Sequence, residues 1–158
     1  MRAFVVMTVL ACLTGCSGEP PVEGDAMFEV GTGTWRFEEL GDGQPVDLIR
    51  GAQGGWHVWV AVRGTHVEDG DMIIIETEPA DGSGSVQRVE LQPNFDPENS
   101  SGFRNYLGWP AMLDGVDCLV GELLRVRATL VSLDGTSMTS ERDIMVMAGA
   151  DPPPMCAQ

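Results

Sequence analysis

With 158 residues, 43% of them apolar and 21% charged, the chain has the size and balance of one folded domain with a core, not of a disordered segment. The charge is one-sided: 24 acids stand against 9 basic residues, every one of them Arg. Such a chain lacks the basic footprint that nucleic acids or anionic lipid headgroups require, so its acidity serves solubility, a cationic partner or Ca²⁺.

Met1 and Arg2 make a short positive start, and Ala3 to Leu13 is an apolar run broken only by Thr8. A run of about 11 residues falls well short of the ~20 that span a bilayer, so it reads as the hydrophobic region of a signal peptide. Leu13-Thr14-Gly15-Cys16 follows directly. This segment resembles the lipobox of bacterial lipoproteins: an aliphatic residue, a small residue, Gly or Ala, then Cys. The resemblance implies that a diacylglyceryl group (palmitate and related chains) is added to the Cys16 thiol. A lipoprotein signal peptidase then cuts between Gly15 and Cys16, leaving a membrane-anchored chain. Ser17 after the Cys resembles lipoproteins sorted to the outer membrane, on its periplasmic or its outer face. The expected organisation is a signal peptide over 1–15, a lipidated N-terminus and tether over 16–26, and a β-domain with a C-terminal tail over 27–158. The tether holds Gly18, Pro20, Pro21 and Gly24 with no apolar period, and its mean reach is roughly 15–20 Å.

The rest reads as strands and turns. Trp35 to Leu40 is a candidate strand closed by Gly41-Asp42-Gly43, and Val46 to Arg50 is a second. The clearest is Trp56 to Arg63, with Val58, Val60 and Val62 on one face and His57, Trp59, Ala61 and Arg63 on the other. Met72 to Glu78 follows with Ile73, Ile75 and Thr77 inward, then Val86 to Leu91. Gln92 to Gly115, with Pro93, Pro97 and Pro110, shows no pattern, and no helical period of useful length appears after the leader.

Leu123 to Ser132 and Thr136 to Met147 form the last pair. A two-residue Asp134-Gly135 turn would oppose Arg127 and Arg142, a like-charge pair. A three-residue loop, Leu133 to Gly135, puts Gly135 in the left-handed position of a G1 bulge. It faces Arg127 with Glu141, Arg125 with Asp143, Leu124 with Ile144 and Leu130 with Met138; this is the predicted register. Seven or eight short strands at this spacing predict an all-β, immunoglobulin-like antiparallel sandwich, with a small β-barrel as the alternative. Gly31 to Phe37 and Gln53 to Trp59 together are similar to a recurrent pattern in uncharacterised β-domain lipoproteins of Gram-negative bacteria; that likeness carries over no ligand or catalytic residue.

Four Cys are present. Cys12 leaves with the leader and Cys16 takes lipid, so Cys118 and Cys156 remain, and in an oxidising compartment they are expected to form a disulfide. Its long loop corresponds to about 4 kcal/mol of chain entropy.

Catalytic machinery is not expected. Only His57 and His66 are imidazole bases, and no Gly-x-Ser-x-Gly, phosphate-loop or His-Glu-x-x-His motif occurs. Glu76 and Glu78 share a strand face, as solvated carboxylates commonly do. No cofactor, resident metal site or nucleic-acid partner is expected. Three binding readings remain. Ca²⁺ would use acidic loops at Glu68 to Asp71, Asn94 to Asn99 and Asp114 to Asp117. A glycan or peptide would use aromatics among Trp35, Trp56, Trp59, Tyr106 and Trp109, although aromatics of β-domains are more often core. A protein partner would meet a strand edge or the irregular loop. The candidate ligand contacts are Trp59, His57 and Arg63, which share one strand face.

Overall fold

The computed structural model describes residues 25–151. The leader with Cys16, most of the tether, and Cys156 in the tail lie outside the described residues. Within them the chain is all-β: β1 (Phe28–Thr32), β2 (Glu38–Glu39), β3 (Gln44–Arg50), β4 (Trp56–Gly64), β5 (Met72–Pro79), β6 (Gln87–Leu91), β7 (Arg104–Leu113), β8 (Leu123–Val131) and β9 (Ser137–Ala148). The one helical element among the described residues is a single 3-10 turn, Val116–Cys118.

The strands follow one path, β2-β1-β4-β3-β9-β8-β5-β6, with β7 on the other edge of β4. The path folds over at β3. Gln44 to Leu48 run parallel to Ile144 to Ala148 of β9, whereas Ile49 and Arg50 pair antiparallel with His57 and Trp56 of β4. Strands that change sheets in this way make the corners of sandwiches. The apolar faces on either side then meet in one core. Val58, Val60 and Val62 of β4 pack with Ile73 and Ile75 of β5, Leu124 to Leu130 of β8, and Ile144 and Val146 of β9. The path does not close into a barrel. One layer holds the β1-β4-β7 set and the other β9-β8-β5-β6, the two layers of a β-sandwich.

The predicted final hairpin is the observed one. Arg127 faces Glu141, Arg125 faces Asp143, Leu124 faces Ile144 and Leu130 faces Met138. Gly135 has φ 87°, and its N–H donates to Ser132 O at 2.9 Å. Arg125 grips Asp143 through two hydrogen bonds of 2.9 and 3.1 Å, and Arg127 bonds Glu141 at 2.9 Å. In the turn, Asp134 Oδ1 accepts the Thr136 N–H at 2.8 Å and its hydroxyl at 2.7 Å. The amide first and the hydroxyl second hold the Asp134 carboxyl below the usual aspartate range. Both bonds need the carboxylate, so the turn gains from them above the ordinary aspartate pKa and loses them as pH falls through the lowered one. Thr136→Val removes the hydroxyl alone. The Asp134 midpoint, read by NMR titration, should rise part of the way toward an ordinary aspartate.

Two expectations for strands are corrected. Trp35 to Leu40 is not a strand: β2 keeps only Glu38 and Glu39, and Gly33 to Phe37 is a loop. Two strands escaped the periodic reading, β1 and β7. β7 lies inside the stretch that showed no pattern. Its alternation is broken by a bulge that sets Leu107 and Gly108 against the single Ala61, with Gly108 at φ 68°. Pro110 is tolerated because β7 is an edge strand, free on the side away from β4.

One side of the sandwich is closed by polar ties. The Val30 N–H donates to Ser140 Oγ at 3.0 Å, and Arg142 Nε donates to Leu40 O at 3.0 Å. The other side, between the edges of β6 and β7, opens as a small cleft of about 130 Å³ walled by Ile75, Val89, Trp109 and Ala111.

Candidate functional site

The outer face of β4 presents His57, Trp59, Ala61 and Arg63, as alternation from the buried Val58, Val60 and Val62 requires. Their surroundings differ sharply. Arg63 is committed to structure. Its Nε bonds Glu29 and a terminal nitrogen bonds Glu39, each at 2.6 Å. The guanidinium lies 4.4 Å from the Phe37 ring centre and 4.9 Å from that of Phe103. This clamp ties β1, β2 and the segment before β7 onto β4. Arg63→Gln loses both cation–ring contacts and both ion pairs, and a loss of about 1–2 kcal/mol is expected in chemical denaturation.

His57 is only 5% exposed, and neither ring nitrogen has a hydrogen-bond partner. Burial pushes its pKa below the ordinary histidine value, so the ring is neutral at physiological pH. Trp59 meets it edge-on, with ring centres 4.5 Å apart at 76°. Of the three candidate contacts, Trp59 alone turns a half-exposed surface outward without ionic partners.

Trp59 borders a pocket of about 330 Å³ lined by Thr32, Gly33, Thr34, Trp35, Arg36 and Glu38. The loop that forms it is held at its start by two bonds. Thr32 Oγ1 donates to Trp59 O at 2.7 Å, and the Gly108 N–H donates to Gly33 O at 3.0 Å. Gly33 sits at φ 109°, and a Cβ there would stand 2.0 Å from Arg36 O, so only Gly lets the loop turn this tightly. Phe37 folds back over Gly31 and onto Arg63, while Arg36 and Glu38 pair at 3.1 Å. Trp35 is left at the loop tip, 94% exposed. Isolated apolar residues on a surface are ordinary, but an exposed indole lining the same pocket as a second indole is an anchor of the kind that dominates binding surfaces. Sequence reasoning named Trp35 among the candidate aromatics but placed it in a strand, and so did not find its position at a loop tip. Gly31-Thr32-Gly33-Thr34 before it was the available signal, since small residues at that density favour a tight loop over a strand. Trp56, Tyr106 and Trp109 pack against the core instead.

In two of the acidic loops, side chains are spent on the fold itself. Asp71 is buried and accepts the Glu68 N–H at 2.9 Å and the Leu133 N–H at 3.2 Å, while Asp69 pairs with Arg104 at 2.8 Å. Asn99 Oδ1 accepts the amides of Ser101 and Phe103. No group of three or more His, Cys, Asp or Glu side chains is gathered for a metal among the described residues. Glu76 bonds Arg88 at 3.0 Å and lies 3.9 Å from Arg127, so it serves the ladder of ion pairs across β5, β6 and β8. His66 is exposed in the loop after β4, at φ 56°. A wide cleft of about 950 Å³ lies at one end of the sandwich beside Glu78, Asp81, Asp114 and Cys118; Cys118 sits on the 3-10 turn and is not a free thiol. Family models, curated proteins and solved structures were all compared with the chain, and none matches it.

Proposed function

We propose that this chain is an exported lipoprotein, anchored by lipid on Cys16 in the outer membrane, whose β-sandwich acts as a non-catalytic binding module. The observation that carries the binding role is Trp35, fully presented at the tip of a pinned loop above Trp59. The ligand class this pocket fits best is a neutral glycan. A sugar ring offers C–H faces that stack on indole and a rim of hydroxyls. Thr32 and Thr34, with the Arg36–Glu38 pair, supply donors and acceptors around the two rings, and the paired charges leave the pocket without the cationic excess an anionic ligand would need. The non-catalytic part is supported by His57, whose imidazole is buried and bonds no Ser, Thr or Cys. A Cys118–Cys156 disulfide belongs to the same proposal; it would tie the tail to the end of the sandwich.

The test is titration of the purified mature chain with a panel of neutral and acidic oligosaccharides, followed by tryptophan fluorescence and calorimetry. Saturable binding of a neutral member supports the reading, and a panel without binders overturns the glycan assignment. A protein partner is the second reading, favoured by the free edges of β6 and β7 beside the apolar cleft. The anchor has its own test. Cys16→Ala should abolish fatty-acid labelling and block cleavage of the leader, and a variant still labelled by fatty acid would refute it.

A further inference from the structure

Both ring nitrogens of His57 are buried without a partner, and among the described residues they are the only side-chain polar atoms in that state. Buried polar atoms are normally bonded, so this one calls for a ligand or a tightly held water. What surrounds the imidazole narrows the choice. Trp59 walls one side, edge-on at 4.5 Å. Directly opposite on β7 stands Met112, the register partner of His57. Side chains directly opposed across an antiparallel pair have Cβ atoms about 4.5–5.5 Å apart, within reach of one bridging ion. The β3–β4 loop lies over both. A Cβ at Gly55 would come within 2.9 Å of Met112 Cε, and one at Gly51 would lie 3.8 Å from His57 Nδ1. The loop is braced by Gly51 N–H to Gly55 O and Gly54 N–H to Gly51 O, each 3.0 Å. Glycine at Gly55 lets the loop close directly onto the thioether. Met112 is 51% exposed, which gives the site a way in from solvent.

We propose that His57 and Met112 together bind a soft monovalent cation of the Cu(I) class on the outer face of β4. A thioether is a poor ligand for hard ions such as Ca²⁺ or Mg²⁺ and a good one for Cu(I), and imidazole serves Cu(I) as well. Cu(I) accepts low coordination numbers, so a two-residue site is complete without the carboxylates or thiolates that Zn²⁺ or Ca²⁺ would need, and no group of three or more such side chains is gathered among the described residues. Burial keeps the ring neutral, which is the form that ligates. The acidic chain favours approach of a cation. This site shares Trp59 as a wall with the Trp35 pocket but takes its ligands from other residues, so each proposal has its own test.

The experiment titrates the mature chain with Cu(I) under anaerobic reducing conditions against a chromogenic Cu(I) chelator. In parallel, Ag(I), a redox-inert stand-in, is followed by NMR. One ion per chain is expected, with the Met112 methyl and His57 ring protons shifting together. Met112→Leu keeps the side-chain volume and should weaken binding by at least about tenfold. His57→Phe should abolish it, and because Met112→Leu leaves the ring in place, the test survives if that second variant folds poorly. Trp35→Ala should leave Cu(I) binding unchanged. Undiminished binding in Met112→Leu, shifts confined to exposed Met145 and Met147, or no competition with the chelator would each overturn the site.

Discussion

Ile144→Ala should destabilise the domain by about 3 kcal/mol, one of the larger single effects available in this fold. Ile144 is 1% exposed, and its strand is hydrogen-bonded on both edges: the residue faces Leu124 of β8 and Gln44 of the parallel β3. Truncation removes buried methyl groups where both neighbouring strands are fixed by their ladders, so the cavity cannot collapse easily. Met145, one residue on, points to the opposite face and is 36% exposed. Met145→Ala should therefore stay within about 0.5–1 kcal/mol. Urea unfolding distinguishes the two, with a shift in midpoint and an unchanged m value expected for Ile144→Ala. Equal losses from the two substitutions would mean that β9 does not face the core as described.

The contrast between neighbouring residues on β9 is also where the sequence was most legible. Alternation, a turn Gly and opposed charges agree along β8 and β9, and they determine the register to the residue. Arg127 beside Glu141 is favourable, and Arg127 beside Arg142 is not. β4 and β5 were readable for the same reason: runs such as Val58, Val60 and Val62 have one interpretation when one face is buried. β7 was not readable because its bulge at Leu107 and Gly108 shifts the alternation midway, and Pro110 argues against a strand unless the strand lies on an edge. β1 is short, and its Gly31 carries no side chain because Phe37 lies across it; a Cβ there would stand 2.5 Å from the Phe37 ring. That close approach exists only once the chain has folded back, so a local reading cannot find it.

The candidate site divides in the same way. The face shared by His57, Trp59 and Arg63 follows from strand period alone, and the structure keeps it. Which member of that face is accessible does not follow from period. Arg63 is consumed by Glu29, Glu39, Phe37 and Phe103, which arrive from other segments, and His57 is covered by its neighbours. Trp35 contributes because Gly33 reverses the chain and Thr32 and Gly108 pin the reversal beside Trp59. A site assembled from three strands' worth of contacts is a tertiary fact, and strand alternation on β4 reports only one of its walls.

Trp35→Ala separates binding from folding at this site. The indole is 94% exposed, so its removal should move the melting temperature by no more than about 1–2 °C. The same substitution removes the largest apolar surface available to a ligand, and truncating an aromatic anchor of this kind costs on the order of 2 kcal/mol, roughly 30-fold in affinity. Trp59→Ala should differ in kind. Trp59 packs edge-on against the buried His57, so the variant loses stability as well as binding. Thr34→Val, which keeps the shape and removes one hydroxyl from the rim, should weaken binding by less than Trp35→Ala and leave the melting temperature in place. Calorimetric titration with the tightest saccharide of the panel, alongside thermal melts of each variant, reads all three. A Trp35→Ala protein that binds this saccharide as tightly as the parent would remove the pocket from the mechanism, whatever else the domain binds.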